Sequence, residues 1–482
     1  MPCNSKYIFL AHLVAPLRRG NPQVTTTAAV VDFVRDTQFD AVPAPVLAIA
    51  KEHILDGFGV ALSGVHAEGT RILRRYVERT TTSGPATTVG TGLRLQPEIA
   101  AWVNGTSGHA LDYDDTQLST TPTSVYGLLT HPTVPVLFGA LGIAEARGAS
   151  GRDLLLAYVL GIEVACRLAD AIAPRHYQEG FHSTATMGGF GSAAAVGKLL
   201  ELDADTLARA FGLAGSLAGG LRENFGTMTK PFHSGRAAYN GVLACLLAGD
   251  GMTAAPTILE ARRGFFAAAG GGYDPDKIEG KLGSPFFLLE PGVSIKPYPS
   301  GSLSHPAQDV ILDLVRTHDL APEEVVRVRV GTNSNVPNAL IYSRPTTELE
   351  AKFSLQFCMA VAVVRRRAGL REFTTEAVRD PAIQAMEERV VVEVDPELEA
   401  LGFEHVRAKV TVDLTNGRTL LGEADVAIGH PLKPMSRDQL EEKFRECAEG
   451  VLSPTQSQQA IDAVWALEEA RSLDRLVAAL RP

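Results

Sequence analysis

Residues 130–172 read THPTVPVLFGALGIAEARGASGRDLLLAYVLGIEVACRLADAI, and this stretch decides the fold class. Apolar residues crowd every side of two runs, 132–147 and 151–171, split by Gly148, Ala149 and Ser150. A helix that is apolar all round belongs in the interior of a large domain. Glycine and glutamate break both runs before they reach the ~20 residues of a membrane span. Working outward, the segment 46–62 carries Leu47, Ile54, Phe58 and Leu62 at the spacing of one helix face. Further helical runs cover 190–200, 206–221 and 235–248. Strand signals are nearly absent before residue 285, so residues 26–285 are expected to form an all-α domain.

The texture changes at Ser284-Pro285. Residues 325–330 alternate valine and arginine, the pattern of a half-buried strand, and 390–394 is a second strand. Segments 406–414 and 418–422 flank Asn416-Gly417, a strong hairpin signal. Helices are expected over 307–318 and 352–367. Residues 286–430 therefore read as a smaller α+β domain. After Pro431 the chain is helical again, with Ile461, Val464, Trp465, Leu473, Leu476 and Leu480 as its apolar positions. Residues 431–482 are expected to return to the helical domain. The fold class is thus mainly α: a large helical domain with a smaller α+β domain inserted. Residues 1–25, with an apolar stretch interrupted by His12, read as an N-terminal extension and not as a targeting segment.

A chain of 482 residues is long enough for two cores. Its formal net charge of −10, with no Lys/Arg-rich block, argues against nucleic acid as a partner. An acidic protein that binds an anion needs a local positive pocket, which directs attention to basic residues set among glycines and histidines. The five cysteines, Cys3, Cys166, Cys245, Cys358 and Cys447, are scattered and never spaced as CxxC. That pattern disfavours a disulfide framework, a structural zinc site or an iron–sulfur cluster, and suits a reducing, cytoplasmic compartment.

Five motifs could carry chemistry. In NGTSGHALDYDDT (104–116), Asp112, Asp114 and Asp115 lie within four positions. They suit acid/base work, a Mg²⁺ site, or plain helix capping at a solvated turn. Two His-Pro pairs, His131-Pro132 and His305-Pro306, each precede an apolar helical run. Proline favours the first helical position and pushes the residue before it out of the α region. Each histidine should then sit at the mouth of a helix, where the partial positive charge lowers its pKa and makes it a general base beside a bound anion. In GFHSTA (180–185), His182 precedes a small-residue run. The spacing there fits neither a phosphate loop nor a dinucleotide fingerprint, so helix packing is the better account of its glycines. In NFGTMTKPFHSGR (224–236), Lys230, His233 and Arg236 fall within seven residues of a Gly/Pro-rich loop before a helix. Lys230 could neutralise a carboxylate or hold an enolate-like intermediate. Finally, IYSRP (341–345) offers Tyr342 as a donor and Arg344 as a carboxylate clamp.

Together with IKPYPSGSLSHPAQD (295–309), which contributes Lys296, these stretches resemble the MmgE/PrpD family from about residue 40 to the end. Family members dehydrate 2-methylcitrate, decarboxylate cis-aconitate or epimerise iminodisuccinate. The resemblance implies a helical domain with a lid-like α+β domain, a pocket between the two, a homodimer, and no metal or organic cofactor. It matches Asp112 and Thr116 to the DxDDT positions and His131 and His305 to the HP histidines. His182, Lys230 and Tyr342 match the GFH, TKP and RP-flanking positions. Two departures stand out: Ser300 and Gly301 occupy positions where many relatives carry cysteines, and the stretch 117–130 is long and rich in Thr and Ser.

The expectation is a cofactor-free lyase that moves a proton beside a carboxylate of a small di- or tricarboxylate. His131 and His305 would be the acid/base pair, brought together by domain closure. Lys230 and His182 would bind carboxylates and Asp112 would orient a histidine or hydrogen-bond the substrate. Thr116, His233, Tyr342, Arg344 and Lys296 would bind substrate. An epimerase with bases on opposite faces is the close alternative. A Mg²⁺ enzyme using the aspartates and a non-catalytic carboxylate-binding protein are more distant ones.

Overall fold

The computed structural model describes residues 25–118, 130–402 and 405–482. Most of the N-terminal extension and most of the Thr/Ser-rich stretch 117–130 lie outside the described residues.

The quoted stretch forms two buried helices, Thr133–Arg147 and Gly151–Ala171. Ser150 opens the second with a capping box, its hydroxyl accepting from the Asp153 amide while the Asp153 carboxylate accepts from the Ser150 amide. Gly148, at φ +62°, closes the first in the left-handed conformation that glycine adopts without strain. These helices pack with Ser183–Leu199, Pro97–Gly108 and Thr229–Gly249 into one layered bundle. Small residues set the spacing. A Cβ added at Gly161 would lie 2.7 Å from the Gly191 carbonyl, and one at Gly105 would lie 2.8 Å from the Gly235 Cα. The glycines of 188–191 are therefore packing residues: Gly188 lies against Pro135 and Gly191 against Gly161.

Beside a small satellite of Leu73, Val77, Ala86, Leu95, Ala100 and Val103, the buried apolar residues from Val30 to Val293 gather mainly in one cluster. It also takes in Phe444, Ile461, Val464, Leu473, Leu476 and Leu480, because the helix Arg437–Ala448 packs on Ala44–Ser63 and its successor follows. A second cluster gathers Leu118 and residues from Leu303 to Leu420. The core thus changes between Val293 and Leu303, about ten residues after the sequence changes texture. In this second unit, four strands run in the order Val390–Val394, Val325–Thr332, Ala408–Leu414, Thr419–Ala424. The first pair is parallel and the other two are antiparallel. The Asn416-Gly417 hairpin closes as expected, with Gly417 at φ +80°. Helices His305–Thr317 and Leu355–Arg365 pack on the sheet.

Four local readings need correction. A short antiparallel pair, Ser83–Thr87 with Arg94–Leu95, interrupts the otherwise helical first unit. Lys230, His233 and Arg236 are not on a loop: the helix begins at Thr229, since Pro231 in the first turn forfeits only an amide that has no helical acceptor. The helix expected from residue 190 begins at Ser183, because glycines in a fully buried helix are tolerated for the close approach they permit. His305 is not pushed out of the α region by Pro306. Its φ of −64° and ψ of −42° continue the 3₁₀ turn Ser302–Ser304 directly into the helix, so tertiary context overrides the pre-proline preference.

Candidate active site

The helix Pro97–Gly108 ends in a tight turn, and Asp112 within it has φ +53°. Aspartate is among the few side chains that tolerate this conformation. The turn separates the three aspartates into three jobs. Asp115 accepts from the Thr133 amide at 3.2 Å and the Thr133 hydroxyl at 2.5 Å, so it caps the helix Thr133–Arg147, and it also pairs with His53 Nδ1 at 2.7 Å. Asp114 hydrogen-bonds His109 Nδ1 at 2.8 Å and lies 3.6 Å from His131 Nδ1. Asp112 is clamped by two buried lysines. Lys230 Nζ donates to Oδ1, and Lys296 Nζ donates to Oδ2 at 3.0 Å and to the Asp112 carbonyl at 2.9 Å. The three carboxylates diverge, which removes the Mg²⁺ site proposed for them.

The electrostatics follow from burial and proximity. Burial alone would raise the Asp112 carboxyl, but Lys230 and Lys296 outweigh it and hold it well below the usual carboxylate range. Burial lowers the Lys296 ammonium from its usual value although Asp112 opposes. His131 is held well below the usual histidine range by burial, then by His109, Lys296 and Lys230. The ring is therefore neutral at physiological pH. His131 Nδ1 lies 3.3 Å from the Thr116 hydroxyl and 3.6 Å from the Asp114 carboxylate, and with the proton on the Nδ1 that faces this carboxylate, Nε2 is the basic nitrogen.

A row of rings continues from His131. Its edge meets His109, with centroids 4.6 Å apart, and His109 stacks on His182 at 5.8 Å. His182 Nδ1 lies 3.2 Å from His233 Nδ1, so one ring must donate and the other accept. Both are neutral: burial lowers His182 well below its usual range and brings His233 down to about 4.

Asp112, Thr116, His131, Lys230 and Lys296 converge on a cavity of about 380 Å³ between the two units. The helical unit supplies Asp112, Thr116, His131 and Lys230; the second unit and its approach supply Lys296, Ser302, Tyr342 and Phe353. The Tyr342 hydroxyl lies beside Gly226, 3.3 Å from where a Cβ would stand. A larger groove of about 830 Å³, lined by Ile72, Tyr76, Trp102 and Phe232, lacks this convergence of buried charged groups. Several expected members do not line the inter-domain cavity. His182 and His233 flank it through Phe225, whose ring lies 5.0 Å from that of His182. His305 Nε2 donates to the Ser300 carbonyl at 3.1 Å and the ring packs edge-on to Tyr298. Burial lowers His305 to about 3. Arg344 is exposed and pairs with Glu388 at 3.3 Å. The structure thus brings His131, Lys230, Lys296, Asp112, Thr116 and Tyr342 together, and places His305 and Arg344 elsewhere.

Three participants were not singled out from the sequence. His109 stood inside a motif already noticed, and its five-residue separation from Asp114 at a helix end was the available signal. Arg222, on the cavity wall, sits two residues before a noticed motif. Lys443 had no signal: from a C-terminal helix it donates to the Tyr113 and Lys296 carbonyls at 3.0 and 2.8 Å and pairs with Asp56, bracing the floor under Lys296. The ligand atoms of His109, Asp114 and His131 lie within 4.8 Å of one another. Two imidazoles and one carboxylate are a donor set suited to a transition metal and not to Mg²⁺. Among the described residues no helix is long and apolar enough to cross a membrane.

Comparison with known proteins is in register with this layout. The MmgE/PrpD N-terminal domain model matches residues 28–278 and the C-terminal domain model matches 298–469. Cis-aconitate decarboxylase of Homo sapiens is 30% identical over 448 residues, covering 90% of each chain. The Mus musculus protein of the same name is 30% identical over 436 residues, covering 88% of this chain and 87% of its own. That of Aspergillus terreus is 26% identical over 482 residues, covering 95% and 96%.

Proposed function

The chain belongs to the MmgE/PrpD family, and from that premise we propose that it is a lyase that decarboxylates a small unsaturated tricarboxylate of the cis-aconitate type. The observation that carries this reading is the convergence of two buried lysines and one neutral histidine on a single inter-domain cavity.

In such a substrate the departing carboxylate is allylic. As CO₂ leaves, its bonding pair forms a new terminal C=C. The original double bond shifts its pair onto the carbon beside another carboxylate, giving an enediolate. One proton on that carbon completes the reaction. The protein must therefore stabilise negative charge on a carboxylate and then deliver a proton. Lys230 and Lys296 supply the first function, in a buried setting where each charge counts for more than in water. Asp112 holds both ammonium groups in place.

His131 supplies the second function. It is neutral in the protein because burial and two lysines disfavour its charge. A tricarboxylate entering beside Lys230 and Lys296 brings the opposite field. The imidazole then takes up a proton at Nε2, with Asp114 beside Nδ1 to favour the cation, and becomes the acid that quenches the enediolate. His305, with Nε2 committed to Ser300, acts on this reading as a packing residue of the second unit.

The test is turnover. Purified protein offered cis-aconitate, 2-methylcitrate and iminodisuccinate should release CO₂ from the first. Water loss from the second or stereoinversion of the third, with no CO₂ from the first, would replace decarboxylation by the dehydratase or epimerase reading. Activity that survives EDTA supports chemistry on side chains alone; activity lost in EDTA and restored by a transition metal would make His109, Asp114 and His131 the ligands to test by substitution.

A further inference from the structure

Arg222 is the cavity cation that the mechanism above leaves unused. Its guanidinium carbon lies over the Tyr177 ring, 3.7 Å from the centroid, and Nη1 donates to the Tyr177 carbonyl at 2.8 Å. The backbone amide of Arg222 is anchored in turn to the Gly180 carbonyl at 2.8 Å. The group is thus oriented by stacking and hydrogen bonding from the segment that carries His182. Yet among the described residues no carboxylate pairs with it, although Glu223 is its neighbour on the same wall. Its Nε is buried without a hydrogen-bond partner. Lys230 and Lys296, in contrast, already share Asp112. A pre-oriented guanidinium with donors to spare is a carboxylate receptor waiting for its anion.

The spacing suits a polycarboxylate. Arg222 Cζ lies 5.8 Å from the Phe225 ring centroid and Lys230 Nζ lies 5.1 Å from it, so the two charges are at most about 11 Å apart. A three-carbon chain bearing terminal carboxylates spans about 5 Å between its end carbons, and a charge-assisted contact adds about 2.8 Å at each end. Such a molecule is long enough to reach from one cation to the other past Phe225.

We infer that Arg222 is a specificity-determining residue: it binds the carboxylate remote from the Lys230–Lys296 pair and so selects a tricarboxylate over a shorter acid. The inference rests on the polycarboxylate reading of the cavity and goes beyond it in naming the second anchor. Calorimetric titration of the full chain with tricarballylate, glutarate and methylsuccinate tests both separately, since the last two each lack one carboxylate of the first. Arg222→Gln should weaken tricarballylate binding about 10-fold or more, while the dicarboxylate that lacks the arginine-bound group binds wild type and variant alike. With a turned-over substrate the loss should fall mainly on KM. Where Arg222→Gln does not fold, Arg222→Lys gives the same contrast by removing the planar fork. Equal weakening of all three ligands, or none, would overturn the role of Arg222. Failure of all three to bind the wild-type protein would overturn the polycarboxylate reading itself.

Discussion

At the scale of the residue, the site is a balance of buried charges. Lys230 and Lys296 are tolerated in the interior because Asp112 holds both, and burial, reinforced by His109 and the two lysines, keeps His131 neutral. Lys230→Ala should lower kcat/KM about 100-fold or more, because it removes charge from where the enediolate develops; a variant within a few-fold of wild type would exclude Lys230 from the chemistry. The His131 account makes a separate prediction that needs no turnover. Binding of tricarballylate near pH 7 should be accompanied by proton uptake, seen as a dependence of the calorimetric heat on buffer ionisation enthalpy. His131→Gln should abolish that uptake. Uptake unchanged in the variant would move the proton to another group.

At the scale of the element, the site is held by helices that touch through glycine. Gly161 and Gly191 face each other so closely that even a methyl group displaces backbone. Gly161→Ala should cost about 1–3 kcal/mol of stability, measured by denaturant midpoint. Gly249→Ala is the matching control: a Cβ there meets nothing within 4 Å, and alanine is the better helix former, so stability should hold or rise by up to about 1 kcal/mol. The same helices explain what sequence reading reaches at this scale. The apolar crowding of 132–171 and the Asn416-Gly417 turn act locally, so elements such as Gly151–Ala171 and Val390–Val394 were legible to the residue. Helix starts at Ser183 and Thr229 were not, because Gly188, Gly191 and Gly235 serve neighbouring helices, Pro231 costs only a first-turn amide, and spacing along the chain carries no trace of either.

At the scale of the whole molecule, two units with separate cores meet around charged and polar groups drawn from distant segments, from Asp112 to Tyr342. Residue types and motif positions marked Asp112, His131, Lys230 and Lys296 as candidates. They could not mark direction. His305 has the same His-Pro setting as His131, yet its Nε2 is spent on Ser300, and only the three-dimensional packing of Tyr298 and Ser300 decides that. Packing also makes the molecule sensitive to acid. His176, bonded to Ala269 and Thr186, is lowered to about 4 by burial, whereas the unfolded chain holds it near 6.5. Between those values the unfolded state binds the extra proton, so stability falls as pH drops, by about 3 kcal/mol from this group once pH reaches 4. The stability deficit of His176→Gln at pH 7 should therefore narrow by that amount at pH 4, read from denaturation curves at both.

The central claim is that this cavity breaks a carbon–carbon bond and then places one proton. It is tested most directly by following cis-aconitate with the wild-type protein in D₂O by proton and carbon NMR. The account predicts one CO₂ released per molecule consumed, a new terminal methylene, and a single deuterium on the carbon beside a carboxylate. Deuterium entering the substrate with all its carbons retained would contradict it.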